Sequence, residues 1–172
     1  MDLVRELIIK IETLKQDKKF KEALKMLKDA SLKYSDDYRI YEEIADIYLY
    51  EGNLIQATKA VNFALSLNKE SATGNYLKGF ILLSNDKPDE SIKYLIKSNK
   101  LMGNNAEVLR NLGWAYTMIG EQERGITVLK RALNISPGDE LITEDLAMAL
   151  IGNGNIKDGN QLLEKIGKNY KK

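Results

Sequence analysis

Apolar residues along the chain return at steps of three and four, and the strict alternation of a strand is absent. The clearest stretch runs from Leu109 to Pro137. Leu109, Leu112, Gly113 and Tyr116 fall on one face of a helix. Gly120 then opens a turn. Gly125, Leu129 and Ala132 fall on one face of a second helix, and Pro137 stops it. The spacing predicts a helical hairpin with a seam of small residues. The only two prolines, Pro88 and Pro137, both fall where helices would begin or end.

The same hairpin recurs. A 34-residue frame anchored at Ala106 extends in both directions without insertion, with units beginning at Val4, Tyr38, Ala72, Ala106 and Glu140. The expected organisation is one array over 1–172, divided into 4–37, 38–71, 72–105, 106–139 and 140–172. Position 20 of the units is Ala23, Ala57, Ser91, Gly125 and Gly159, all small. Position 8 is Ile11, Ala45, Gly79, Gly113 and Ala147; position 27 is Ala30, Ala64, Ser98, Ala132 and Ile166. Small residues at these columns let paired helices approach closely. Larger apolar residues at position 11 (Leu14, Tyr48, Leu82, Tyr116, Leu150) and position 24 (Leu27, Val61, Leu95, Leu129, Leu163) fill the space between them. Near position 15, Gly52, Gly120 and Gly154 suit a positive φ after a helix. The middle unit has Asp86-Lys87-Pro88-Asp89-Glu90 there, which reads as an N-cap Asp86, a proline in the first turn and acids at the positive end of the helix dipole.

Composition narrows the chemistry. The chain of 172 residues contains no cysteine and no histidine. Disulfides and thiolate metal sites are excluded, and the commonest metal ligand and near-neutral general base are missing. No catalytic residues, metal ligands or cofactors are expected. A formal net charge of +1 gives no global attraction to nucleic acid. The densest basic run, from Lys15 to Lys28, is interleaved with Asp17, Glu22 and Asp29 and reads as a solvated surface. No apolar run approaches the roughly 18 residues of a membrane span, so no membrane insertion is expected. The start, Met1-Asp2-Leu3-Val4-Arg5-Glu6, reads as an amphipathic helix and not a signal peptide, which makes a cytoplasmic location the simplest reading.

The columns resemble the tetratricopeptide repeat (TPR) family over residues 4 to about 170. The fourth unit carries the resemblance best, with Leu112-Gly113, Tyr116, Gly120, Leu129, Ala132 and Pro137 at the family's positions. The family's Trp at position 4 is replaced throughout, by Leu7, Tyr41, Asn75, Leu109 and Thr143. The resemblance implies an all-α fold: five helix-turn-helix units, ten antiparallel helices, stacked as a right-handed superhelical α-solenoid whose first helices line a concave groove. It also implies that positions 2, 5, 9, 12 and 13 of each unit face that groove.

The implied groove changes character along the chain. Its first part is charged, with Glu12, Glu42 and Asp46; then come Tyr50, Tyr76, Phe80, Leu83, Trp114, Met118 and Met148. Position 9, usually polar in the family, is Phe80, Trp114 and Met148 in three successive units. Aromatic and methionine side chains of this kind offer large area and adaptable packing to a peptide or a helix. The expected function is a non-catalytic protein–protein interaction module whose groove takes a peptide or amphipathic helix with apolar anchors. The acids would meet a basic flank of that ligand.

A carboxylate-clamp chaperone adaptor is not expected. The clamp's cation and asparagine positions fall on Ile8, Glu12, Glu43, Thr73 and Leu77 in the first frame, and later frames also lack the cations. The alternative function is a scaffold forming homo-oligomers through exposed array ends. At one end Leu3, Val4, Leu7, Ile8, Ile9, Ile11 and Leu14 spread over a wide arc. At the other, Asn160, Gly167 and the stretch Lys168 to Lys172 suggest partial self-capping.

Overall fold

The computed structural model describes residues 2–168, and the remainder of the expected C-terminal cap, 169–172, lies outside the described residues. The described residues form ten α-helices and no strands. In chain order they are α1 (Leu3–Gln16), α2 (Phe20–Lys33), α3 (Tyr38–Tyr50), α4 (Leu54–Leu67), α5 (Ala72–Ser84), α6 (Pro88–Leu101), α7 (Ala106–Met118), α8 (Gln122–Ile135), α9 (Glu140–Gly152) and α10 (Ile156–Lys165). The odd-numbered helices begin within one residue of the starts that the 34-residue frame predicts.

Local chemistry sets these boundaries. The last position of each repeat supplies a short polar side chain before the next odd-numbered helix: Asp37, Ser71, Asn105 and Asp139. Each accepts a hydrogen bond from a first-turn N–H, from Arg39, Gly74, Val108, and both Leu141 and Ile142 respectively. A cap of this kind is worth about 1 kcal/mol. Within each hairpin, position 15 takes the left-handed conformation: Lys18, Gly52, Asp86, Gly120 and Gly154 have φ of 57°, 72°, 56°, 82° and 88°. Asp86 is therefore the left-handed turn residue and not the N-cap of α6. That position belongs to Lys87, which makes no side-chain cap bond, while Pro88 begins the helix as expected.

The chain comprises two compact units, Met1–Ile81 and Leu82–Lys172, whose boundary falls inside α5. The core of the first is built from Ile11, Leu14, Ala23 and Leu27 of the first hairpin with Ile40, Ile44 and Ile47 of α3. A second cluster joins Ala45, Ala57 and Val61 to Leu77 and Ile81 of α5. In the second unit, Leu109, Ala132 and Ile142 form one cluster, and Ile126, Leu129, Leu146, Ala149 and Leu150 another.

The small-residue seam is a steric requirement. A Cβ added at Gly125 would lie 2.9 Å from the Gly113 carbonyl oxygen, and one at Gly113 would lie 3.1 Å from the Gly125 carbonyl oxygen and 2.6 Å from Leu129 Cγ. Backbone cannot move aside as a flexible side-chain tip can, so this pair of positions holds α7 against α8 at its closest approach.

Candidate protein-interaction surface

The second unit carries three exposed members of the expected aromatic and methionine set. Trp114 and Met118 stand four residues apart on α7, which places them on one face. They remain 40% and 38% exposed, although the same helix buries Val108, Leu109, Leu112, Ala115 and Tyr116 on its other side. Met148 holds the equivalent position one repeat later on α9, is 40% exposed, and is preceded by the exposed Leu141. Helices α7 and α9 pack directly against each other. Arg110, one turn before Trp114, donates from Nε to Asp145 Oδ2 of α9 at 2.5 Å, tying the two helices together beside the apolar side chains. Burial pushes the Asp145 carboxyl up, and the Arg110 guanidinium only partly offsets it.

In the first unit Tyr76 and Phe80 are more deeply seated, whereas Tyr50 is not. Tyr76 and Phe80 are half-buried neighbours on α5, their rings 6.4 Å apart. Tyr76 also packs on the apolar cluster around Val61. Tyr50 is exposed and stacks on Phe20, centroids 5.4 Å apart. Leu83, near the end of α5, is half-buried and belongs to the second unit.

The three expected acids divide. Glu12 and Asp46 remain at the surface, but both are bonded to Lys15 Nζ at 2.6 Å, which also reaches Glu43 at 2.9 Å. Burial disfavours the Lys15 charge; the three carboxylates outweigh that effect and raise its pKa. The net charge there is smaller than the acids alone suggest. Glu42 does not face the solvent at all. It is 5% exposed, and its Oε1 accepts a hydrogen bond from the Ser71 hydroxyl. It is therefore not open to a ligand's basic flank. The group takes the space that an aliphatic side chain fills elsewhere: position 3 is Ile40, Val108 and Ile142 in repeats two, four and five, all buried, and Gly74 in repeat three. A Cβ on Gly74 would lie 2.8 Å from Glu42 Oε1.

Spacing alone missed the polar cluster around Glu42. Asn75, 2% exposed, donates from Nδ2 to the Ser71 carbonyl at 2.6 Å and to the Lys69 carbonyl at 3.0 Å. The available signal was a departure: Gly74 stands where every other unit has a larger side chain. A cleft of about 510 Å³ elsewhere in the second unit, lined by Leu109, Leu112, Tyr116, Arg124, Thr127 and Arg131 among others, contains none of the expected residues. The Arg124 guanidinium lies 4.2 Å from the Tyr116 ring centre and donates to its hydroxyl. Among the described residues no helix is long and apolar enough to cross a membrane, and no group of three or more acids is placed to hold a metal ion.

No protein-family model and no curated protein matches the sequence. Solved structures do match the fold. The type IV pilus biogenesis factor PilW is 20% identical, with a TM-score of 0.86 over 96% of this chain and 76% of its own. MamA (residues 41 to the end) from Desulfovibrio magneticus RS-1 is 18% identical, with a TM-score of 0.79 over 96% of this chain and 94% of its own. YrrB, a TPR protein with an unusual peptide-binding site, is 18% identical, with a TM-score of 0.72 over 92% and 82%. Together with the ten helices and the 34-residue register, these likenesses show that the chain has the tetratricopeptide-repeat fold.

Proposed function

We propose that the chain is a non-catalytic protein-interaction module that captures a peptide or amphipathic helix through apolar anchors on the open faces of its odd-numbered helices. The observation that carries this reading is the exposure of Trp114 and Met118 on α7 and of Met148 on α9, large apolar side chains that the fold leaves partly open to solvent. Leaving large apolar side chains at 38–40% exposure on adjoining helices has a solubility cost that a binding role would explain. Tyr50, Tyr76 and Phe80 are the corresponding contacts proposed in the first unit. Glu12 and Asp46 would contribute only what Lys15 leaves uncompensated. The likeness to YrrB supports a peptide ligand in general terms.

A photo-crosslinking residue placed at 114 or 148 tests the reading in the native cell. A discrete protein adduct is expected at both positions and not at the exposed Lys130 of α8. Equal, diffuse adducts at all three would sink it. A scaffold that self-associates through its ends is the second reading, favoured by Leu3 and Ile9, which stay 48% and 62% exposed on α1. Light scattering over a hundredfold concentration range separates the two: a constant monomer mass excludes the scaffold.

A further inference from the structure

We propose that Glu42 is a proton-operated latch between the second and third repeats, setting how firmly the first turn of α5 is held against α3. The geometry is a chain of polar contacts closed off from solvent. The Ser71 hydroxyl caps α5 by accepting from the Gly74 N–H at 3.1 Å, and its own proton goes to Glu42 Oε1. Gly74 lacks the side chain that would otherwise displace the carboxyl group, and Leu65 of α4 walls the same space with carbon. The start of α5 is thus fastened to α3 through one ionisable side chain.

The surroundings decide which protonation state the fastening prefers. Burial is the largest influence and favours the neutral acid; hydrogen bonds from Ser71 and Gly74 oppose it; the nearby charges on α3 and its cap, Glu43 and Asp37, are acids and reinforce it. Glu43 is itself paired with Lys15, and Asp37 with Arg39. On the α4–α5 turn, Lys69 and Glu70 are exposed, and Lys78 of α5 is bonded to Asn62. The balance raises the Glu42 carboxyl from 4.5 to about 7. A folded-state pKa raised above the unfolded value means that seating α5 is most favourable with Glu42 protonated, below about pH 4.5, and that this advantage is lost as pH rises to about 7, because the cost of burying the charge exceeds what the hydrogen bonds from Ser71 and Gly74 return to it. The latch would release near neutrality, loosening the turn that leads into Tyr76 and Phe80. Only its consequence for ligand capture rests on the function proposed above.

Amide hydrogen exchange at Gly74, Asn75 and Tyr76, corrected for the intrinsic effect of pH, tests the latch directly. Opening of this turn should be about tenfold more frequent at pH 8 than at pH 6, with no matching change at Val108 or Leu109 of α7. Glu42→Gln should make the turn insensitive to pH. Exchange that does not respond to pH in the native protein overturns the proposal, as does a response that survives Glu42→Gln. Should that variant fail to fold, carbon NMR of the Glu42 carboxyl in the native chain gives the answer. A midpoint near 7 supports the latch, and one near the ordinary 4.5 overturns it. Failure here leaves the crosslinking result at 114 and 148 untouched, so the two ideas stand or fall separately.

Discussion

At the junction of α7 and α9, position 3 of the incoming repeat is Ile142, which packs into a cluster with Leu109 and Ala132. At the junction of α3 and α5, the same position is Gly74, and the space is taken by the carboxyl group of Glu42. Both solutions seat an odd-numbered helix on its predecessor. They differ in what they depend on. Apolar packing is indifferent to pH and tolerates no loss of volume. The polar junction conserves volume but makes seating conditional on a proton. Orientation is specified differently too: one junction has the partly exposed Arg110–Asp145 pair beside it, whereas the other uses the Ser71 cap and the two bonds of Asn75.

The contrast can be broken at several points. The largest effect should come from Leu109→Ala, which opens a cavity in the second unit. It should cost about 3 kcal/mol in denaturant melts, equally at pH 6 and pH 8. Glu42→Gln comes next, with the opposite sign and a pH signature. At pH 8 it should stabilise the protein by about 2 kcal/mol, because a buried charge is replaced by a neutral amide that can still accept from Ser71; the gain should shrink toward nothing below pH 5. If the variant loses stability at pH 8, burial of the Glu42 charge is not the cost that sets this junction. Asp145→Asn should change stability by less than about 1 kcal/mol, because burial already disfavours the charge that the substitution removes and the amide oxygen can still accept from Arg110. Smallest of all, Trp114→Ala should move stability by no more than about 0.5 kcal/mol, because its ring is not part of the core. A larger loss would mean that the exposed face is structural, and would weaken its proposed role in binding.

Much of the fold is legible in the sequence. Repetition made it so: five gapless copies average out the idiosyncrasies of each, and the helix starts fall within a residue of the frame. Where a single unit departed from the others, local rules misled. Asp86 looked like a cap because Asp commonly is one, yet the turn requires a left-handed residue at position 15, and Asp86 takes that role as Lys18 does in the first hairpin. The site was legible only in part. The open face of α7 followed from register alone, since Trp114 and Met118 lie off the stripe that stacks. Glu42 did not. Its register pointed to the groove, and nothing in its spacing revealed that Gly74, thirty-two residues later, leaves a space for its carboxyl group.

The sequence by itself determined the hairpins, their length and the small-residue seam, because helix period, caps and turns act over a few residues and repeat in register. The tertiary structure decided which polar groups are buried, which acids are already answered by Lys15, and that the third repeat is seated on the carboxyl group of Glu42. Those depend on side chains from different repeats meeting across a helix interface, where a missing Cβ on one strengthens the claim of a charged group on the other. Desolvation is a property of that meeting, and no single stretch of chain contains it.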